Sequence, residues 1–217
     1  TNTLSGGSGS KRILPQGKRR SEGIINPNRL RIIGGSAKGK KIDSPDVYLR
    51  PMMGKVREAL FSTLSFMGLF NANTTYVLDV FSGSGSVGLE ALSRGAAGAI
   101  FVDMAQDCCE TALKNAKNCG FEGQATAVAG RAEDVLQNPQ YFGLNKPFQL
   151  ITMTPPYEEV VYKELIDAVC TSSLVEENTI VVIEYPVELG TLPHILGGDK
   201  LFGIRNRKYG RTVLGVY

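Results

Sequence analysis

From Tyr76 onward, short apolar runs alternate with amphipathic runs of helical period. "TYVLDVF" predicts a buried strand, and "VGLEALSRGA" predicts an amphipathic helix that closes at Gly95. The same pairing recurs along the chain, with predicted strands "GAIFVDM", "QATAVAG", "PFQLITM" and "TIVVIEY". Alternation of this kind forms right-handed βαβ units, and therefore a parallel sheet with helices on both faces.

The last stretch, "KLFGIRNRKYGRTVLGVY", predicts two strands around a turn at Tyr209-Gly210. Together with the five earlier strands, it predicts an α/β, Rossmann-like, doubly wound fold. Its sheet is seven-stranded and mostly parallel, with an antiparallel last strand. Ligands of such sheets bind at the carboxyl ends of the strands, where the strand order reverses.

The segment before Tyr76 divides into two predicted parts. Residues 1–28 are rich in Ser, Gly and basic residues and predict a disordered tail. Residues 29–70 predict an extension made of a β-hairpin, "RLRIIGGSAKGKKI", and a helix that starts near Pro51 and stops at Gly68. The remainder, 71–217, is then the main domain.

Positive charge is concentrated at the N-terminus, where Glu22 is the only acid before Asp43. A basic arm ahead of a domain of mixed charge predicts a polyanionic partner, most commonly nucleic acid, although a solvated tail is the alternative. We expect phosphate contacts from five basic residues: Lys38, Lys40, Lys41, Arg50 and Arg57.

Composition excludes several other classes of protein. The chain has 217 residues and is 42% hydrophobic, which is enough for a globular core. Its apolar runs are too short to cross a bilayer. The four cysteines form no CxxC pair and His194 is the sole histidine, so we expect no metal site and free thiols in a reducing compartment.

The turn "LDVFSGSGSVGLE" contains Gly83, Gly85 and Gly88 in a GxGxxG pattern between a strand and a helix. Glycines there let the backbone approach a ligand closely. Asp103 ends the next predicted strand, where an acid binds ribose hydroxyls. NAD-binding and S-adenosylmethionine-binding folds both satisfy these conditions.

Asp79 favours S-adenosylmethionine, because a carboxylate just before the turn repels a pyrophosphate but attracts an ammonium or a sulfonium group. The loop is also one residue longer than in a dinucleotide binder, with Phe81-Ser82 before Gly83. The alternative is that Asp79 only caps a turn or a helix. We expect cofactor contacts from nine residues: Asp79, Phe81, Ser82, Gly83, Gly85, Asp103, Met104, Arg131 and Ala132.

"TPPY", residues 154–157, follows the fourth predicted strand. Pro155 and Pro156 have carbonyl oxygens and no N–H, and Thr154 is held extended by the proline after it. Such a rigid row of acceptors suits the exocyclic amino group of a nucleobase, and Tyr157 can stack on the base. We expect these four residues to be catalytic. The alternative is a loop with two prolines and a tyrosine that belongs to the core.

The residues from Arg29 to Tyr217 resemble the RsmD-type bacterial 16S rRNA guanine-N2 methyltransferases. "DVFSGSGSVGLEALSRGA", "RIIGGSAKGKKI", "LRPMMGKVREALFSTL" and "RKYGRTVLGVY" carry the resemblance. It implies S-adenosylmethionine-dependent methylation of a guanine amino group in small-subunit rRNA or a pre-ribosomal particle.

The chain departs from the pattern of that family at two positions. The family has Asp where this chain has Thr154, so one charge-assisted hydrogen bond to the amino group becomes a neutral one. The family also tends to carry an acid near the adenine, where this chain has Arg131. Glu133 or Asp134 is a candidate substitute, and recognition of the adenine by the backbone alone is the alternative.

Two kinds of function remain as alternatives. One is an N6-adenine or other amino-group methyltransferase, which shares the Pro-Pro-Tyr chemistry. The other is a non-catalytic rRNA-binding assembly factor that lost the acid at position 154. The basic tail favours an organelle, plastid before mitochondrion, over a bacterial cytoplasm, and we expect a monomer.

Overall fold

The computed structural model describes residues 30–46, 51–70 and 74–217. The predicted tail and Arg50 lie outside the described residues. Within the described ranges, no helix combines the length and the apolar character that a membrane span requires.

Nine strands and five α-helices make up the described fold. The strands are Tyr76–Val80 (β1), Gly98–Asp103 (β2), Ala125–Ala129 (β3), Leu150–Met153 (β4), Ile180–Pro186 (β5), Ile195–Leu196 (β6), Leu201–Phe202 (β7), Arg205–Tyr209 (β8) and Thr212–Val216 (β9). The helices are Gly54–Phe66 (α1), Ser86–Ser93 (α2), Gln106–Cys119 (α3), Ala132–Gln137 (α4) and Tyr162–Thr171 (α5).

The main sheet has seven strands in the order β3-β2-β1-β4-β5-β9-β8. Strands β1 to β5 pair in parallel, and β9 pairs antiparallel with both β5 and β8. The predicted fold class is therefore confirmed, including the antiparallel last strand, which lies between β5 and the edge strand β8. The strand order reverses between β1 and β4. The small β6–β7 hairpin was not predicted, because two-residue strands leave no periodic signal.

Alternation along the strands divides the core between the two faces of the sheet. In β1, Val77 belongs to the core under α1, α2 and α3, whereas Leu78 and Val80 belong to the core under α4 and α5. A period of two along a strand has this effect, because successive side chains point to opposite faces. Both faces are covered by helices, as a doubly wound fold requires.

The N-terminal extension packs into the first of these cores. Leu30, Ile32 and Ile42 are buried together with residues of α1, α2 and α3. The predicted hairpin is reduced to a single bridge between Arg31 and Lys41, and α1 starts at Gly54, three residues after Pro51. The limits of the predicted domains stay a prediction, but the described part of the extension and the sheet share one apolar core.

Candidate active site

The loops that follow β1, β2 and β4 meet at the carboxyl ends of the parallel strands. The backbone N–H of Ser82, after β1, donates a 3.0 Å hydrogen bond to the carbonyl of Val102 in β2. The N–H of Thr154, after β4, donates to the carbonyl of Val80 in β1 over 3.3 Å. The three strand ends that the sequence analysis expects to form one site are therefore direct neighbours.

The backbone of the glycine loop is left-handed at three positions, with φ of 63° at Phe81, 52° at Gly83 and 77° at Gly85. A Cβ on Gly85 would also lie 3.0 Å from the Cβ of Ala112 in α3. The loop thus needs glycine at position 85 both for its φ and for its close contact with α3.

Gly88 has a different purpose from the one its place in the GxGxxG pattern suggests. A Cβ at this position would lie 2.5 Å from Cε1 of Phe101 in β2. The absence of a side chain therefore lets α2 pack closely on the sheet, rather than letting a ligand approach the backbone.

Asp103 fastens the glycine loop to the end of β2. Its Oδ2 accepts a 2.9 Å hydrogen bond from the N–H of Gly83, and its Oδ1 accepts one of 3.0 Å from the N–H of Ala105. Each carboxylate oxygen has a second lone pair, and the residue is partly exposed. These free lone pairs suit the ribose hydroxyls of an adenosyl group.

Ser82 supplies an independent sign of a ligand at this loop. The side chain is buried, and among the described residues its Oγ has no hydrogen-bond partner. A buried hydroxyl without a partner costs free energy, so a polar group of a bound molecule would satisfy it. Ser82, Gly83 and Asp103 therefore fit S-adenosylmethionine, although their roles as cofactor contacts stay predictions.

Asp79 lies beneath the loop and is completely buried. Its Oδ2 accepts a 2.8 Å hydrogen bond from the N–H of Gly88, and its Oδ1 accepts one of 2.9 Å from the hydroxyl of Thr152. Burial raises the pKa of Asp79 to about 7, with a further increase from the charge of Asp103. Asp79 therefore caps the first turn of α2, the alternative that the sequence left open, and near neutral pH it carries only part of a charge.

The loop after β3 lies at the same carboxyl ends of the parallel strands. The N–H of Gly130 donates a 3.0 Å hydrogen bond to the carbonyl of Asp103. Arg131 is exposed and lies 3.8 Å from Glu133, while Ala132 is buried at the start of α4. Met104, after β2, is 64% exposed, which leaves its side chain available to a ligand.

The Thr-Pro-Pro-Tyr segment forms a corner after β4. The hydroxyl of Thr154 lies 3.5 Å from the carbonyl of Phe81, which places it next to the glycine loop. Pro155 is buried and Pro156 is exposed. The hydroxyl of Tyr157 donates to Oε1 of Glu184 over 2.7 Å and lies 2.8 Å from Oγ1 of Thr212. The polar end of this ring is therefore fixed by β5 and β9.

Glu184 and Thr212 were missed by the sequence analysis. Only Glu184 leaves a signal, since a carboxylate inside the apolar run "TIVVIEY" is unusual for a buried strand. Thr212 reaches Tyr157 because β9 lies beside β5 in the sheet, and the amino-acid sequence alone does not give that neighbour.

Arg57 does not fit the role of a phosphate contact, and that prediction is wrong. The residue is 2% exposed, its Nη2 donates a 2.5 Å hydrogen bond to the carbonyl of Arg31, and its Nε lies 3.7 Å from Glu90. Glu90 is itself fully buried and accepts hydrogen bonds of 2.8 Å from the N–H groups of Ile33 and Gly34. These buried charges attach the extension to α1 and α2.

The basic turn of the extension lies at the amino ends of the parallel strands, whereas the candidate site lies at their carboxyl ends. The N–H of Ala37 donates to Oγ of Ser93 at the end of α2, and Nζ of Lys40 donates to the carbonyl of Asn118 near the end of α3. These helices end where the parallel strands begin. The turn therefore does not lie beside the candidate site, while phosphate contacts by Lys38, Lys40 and Lys41 stay predictions.

One amide nevertheless connects the extension with the glycine loop. The side chain of Asn115 in α3 is fully buried. Its Oδ1 accepts from the N–H of Asp43 over 2.8 Å, and its Nδ2 donates to the carbonyls of Asp43 and Ser84, each over 2.9 Å. The backbone after the hairpin and the candidate cofactor loop are thus held by the same side chain.

This strand order, with a glycine loop after β1, an acid after β2 and Pro-Pro-Tyr after β4, defines the class of Rossmann-like methyltransferases. A solved structure of a putative methyltransferase, yhhF, from Escherichia coli is similar, with a TM-score of 0.71 and 29% identity over 87% of this chain and 96% of that one. A putative methylase from Haemophilus influenzae has a TM-score of 0.67 and 25% identity over 87% and 97% of the two chains.

The chain belongs to the family described as Conserved hypothetical protein 95, whose model matches residues 30–217. Ribosomal RNA small subunit methyltransferase D from Escherichia coli is 34% identical over 86% of this chain and 92% of that protein. A putative rRNA methyltransferase, YlbH, from Bacillus subtilis is 31% identical over 87% of this chain and 98% of that protein. Membership of the RsmD-type family, which the sequence motifs predict, is therefore confirmed.

Proposed function

We propose that the protein transfers a methyl group from S-adenosylmethionine to the N2 amino group of a guanine in small-subunit ribosomal RNA. The observation that carries the proposal is the position of Tyr157, whose hydroxyl is fixed by Glu184 and Thr212 while its own segment borders the glycine loop through Thr154. Two relatives are named as rRNA methyltransferases, one of them of the small subunit, and these names support rRNA as the substrate.

The residues after β1 and β2 would hold the methyl donor. Asp103 would bind its ribose hydroxyls, and Ser82 would direct its unpaired hydroxyl at a polar group of the ligand. Asp79 contributes by ordering the N-terminus of α2, since its carboxyl group is buried. When bound, S-adenosylmethionine supplies an electrophilic methyl group on sulfur.

The residues after β4 would hold the base. The carbonyl oxygens of the double proline and the hydroxyl of Thr154 accept hydrogen bonds from an amino group, and the ring of Tyr157 stacks on the base. Holding both N–H bonds aims the nitrogen lone pair out of the ring plane, toward the methyl group. This is catalysis by positioning and electrostatics, and it needs no strong base.

The neutral Thr154 favours a second candidate function, an rRNA-binding assembly factor without catalytic activity. A neutral hydroxyl stabilises the developing positive charge of the nitrogen less than a carboxylate does. The two candidates differ in one measurable property, because only the enzyme transfers a methyl group.

In vitro transcribed 16S rRNA, which carries no methyl groups, tests the proposal directly. The purified protein is incubated with S-[methyl-³H]adenosylmethionine and either this rRNA or small subunits assembled from it, and the labelled nucleoside is identified after digestion. We expect N2-methylguanosine. Labelled N6-methyladenosine would assign the chain to adenine methylation, and rRNA binding without label on either substrate would favour the assembly factor.

The compartment is a separate proposal, which rests on the basic tail alone. We propose an organelle, with the plastid first. Tagging the full-length protein at its C-terminus and imaging it beside plastid and mitochondrial markers tests this, and a diffuse signal in the cytoplasm would contradict it.

A further inference from the structure

We infer that the edge strand β8 and the turn that follows it bind the phosphates of the RNA strand beside the target base. The inference rests on the proposed function, because it concerns the same site and the same substrate. Three basic residues of β8 define this surface, which we call the β8 arm: Arg205, Arg207 and Lys208.

The C-terminal end of the β8 arm lies at the carboxyl ends of the parallel strands, where the candidate site lies. Strand β9 pairs antiparallel with both β5 and β8, so β8 runs in the same direction as β5. Tyr209 at the end of β8 pairs with Thr212, and Thr212 also contacts the hydroxyl of Tyr157. The turn between β8 and β9 is therefore next to the tyrosine that we assign to the base.

The charges of the β8 arm are available to a partner. Arg205, Arg207 and Lys208 are all exposed, and among the described residues none of them has a carboxylate within ion-pair distance. Arg211 in the turn differs, because it is paired with Glu188. Three exposed cations within four consecutive residues create a local positive potential that attracts a polyanion.

The geometry of the β8 arm suits an extended phosphate backbone. Residues 205 and 207 are two apart on a strand, so their side chains point to the same face from backbone positions about 7 Å apart, while Lys208 points to the opposite face. Arg207 lies over the ring of Tyr209 at 5.2 Å, which fixes its direction. Guanidinium groups bind phosphates through two parallel hydrogen bonds. Within the described ranges, β8 is the last strand of the sheet, so the backbone N–H groups on its outer side pair with no other described strand.

The position of the extension favours the β8 arm as the phosphate-binding surface beside the target base. Its basic turn lies at the amino ends of the parallel strands, so it cannot bind the nucleotides adjoining the target base. Glu158 and Glu159, exposed just after Tyr157, repel phosphates from their side of the site. When a base of an RNA strand enters the site, the phosphate charges of that strand are therefore best neutralised along β8.

A protective role is the competing explanation, because basic residues on an edge strand also prevent aggregation between sheets. The test is a triple variant, Arg205→Gln, Arg207→Gln and Lys208→Gln, whose side chains are exposed and leave the core untouched. Binding to in vitro transcribed 16S rRNA is measured over a range of salt concentrations. Methyl transfer is measured separately.

The matched control removes the same charge from exposed lysines outside the β8 arm: Lys117→Gln, Lys146→Gln and Lys200→Gln. We expect the arm variant to bind at least about tenfold more weakly, with the slope of log affinity against log salt smaller by about 2 to 3, and the control to match the wild type. S-adenosylmethionine affinity should be equal in all three proteins.

Equal affinities and slopes in the arm and control variants would overturn the inference, and aggregation of the arm variant alone with unchanged slope would assign the residues to protection. Loss of binding to small subunits but not to free rRNA would assign the surface to a protein partner and also overturn it. Failure of the proposed function is a separate outcome. It would appear as a wild-type protein that transfers no methyl group, whatever the salt dependence of its rRNA binding.

Discussion

The hydroxyl of Tyr157 donates a 2.7 Å hydrogen bond to Oε1 of Glu184, a buried carboxylate in the neighbouring strand β5. The ring that follows the double proline is therefore held from its far end by a buried carboxyl group. A stacking platform fixed in this way loses little side-chain entropy when a base arrives, because its rotamer is already set.

Removal of the ring and removal of the hydroxyl of Tyr157 should have different consequences. Tyr157→Ala should abolish methyl transfer and leave S-adenosylmethionine affinity nearly unchanged. Tyr157→Phe keeps the stacking surface, so we expect it to retain most of the rate of methyl transfer. It should lower the free energy of unfolding by about 1–3 kcal/mol, because Glu184 loses a buried donor. Calorimetric cofactor titration and single-turnover kinetics test the pair, and equal loss of cofactor binding and catalysis in Tyr157→Ala would contradict stacking.

In the proposed reaction, Thr154 controls how strongly the amino group is held. Thr154→Asp restores a charged acceptor and should maintain or raise the rate of methyl transfer, whereas the isosteric Thr154→Val removes the acceptor and should lower it. A charged acceptor is roughly twice as strong as a neutral one. The kcat of each variant on transcribed 16S rRNA is the measurement. An inactive Thr154→Asp protein beside an active wild type would show that this site no longer follows the chemistry of its family.

Asp79 should give the protein a stability that depends on pH. Its pKa is raised from 3.8 to about 7, so between these values the folded state keeps a proton that the unfolded chain has lost. The contribution is therefore complete below about pH 4 and is lost as the pH rises to about 7, with a size of up to about 4 kcal/mol. Asp79→Asn can still accept from Gly88 and donate to Thr152, and urea unfolding across this range should show a flatter curve for it. Parallel curves for the two proteins would contradict the prediction.

Glu90 and Arg57 should affect folding rather than RNA affinity. Glu90→Ala leaves the buried Arg57 without its ion-pair partner, and Arg94 and two backbone N–H groups without their acceptor. We therefore expect a loss of about 3–5 kcal/mol in the free energy of unfolding. Arg57→Met should also destabilise the fold but keep wild-type affinity for rRNA at temperatures where it stays folded. Denaturant titration and filter binding test the two variants. Weaker rRNA binding by a fully folded Arg57→Met protein would restore the phosphate role.

The order of strands and helices could be predicted because each element carries its own periodic signal. Val77, Leu78 and Val80 alternate between two cores, and that alternation appears in the sequence as one short apolar run. The glycine turn after β1 and the position of Asp103 at the end of β2 were also predicted, since a glycine-rich turn between a strand and a helix has a local pattern. Local patterns of this kind need no knowledge of the tertiary neighbours.

The remaining errors have a common physical cause. Arg57 was expected on the surface because arginine seldom lies in a core, and only the fold reveals that Glu90 and the carbonyl of Arg31 surround it. The partners of Tyr157 come from β5 and β9, which become neighbours through the sheet order. Contacts between residues far apart in sequence leave no periodic trace in the chain.

The double role of Asn115 has a consequence for protein engineering. Because one amide holds both Asp43 and Ser84, deleting the residues up to position 43 would remove an anchor of the glycine loop, and a fragment cut at position 71 should bind S-adenosylmethionine poorly. Chimaeras that exchange the N-terminal segment between homologues should work only where the recipient helix still offers an amide at this position.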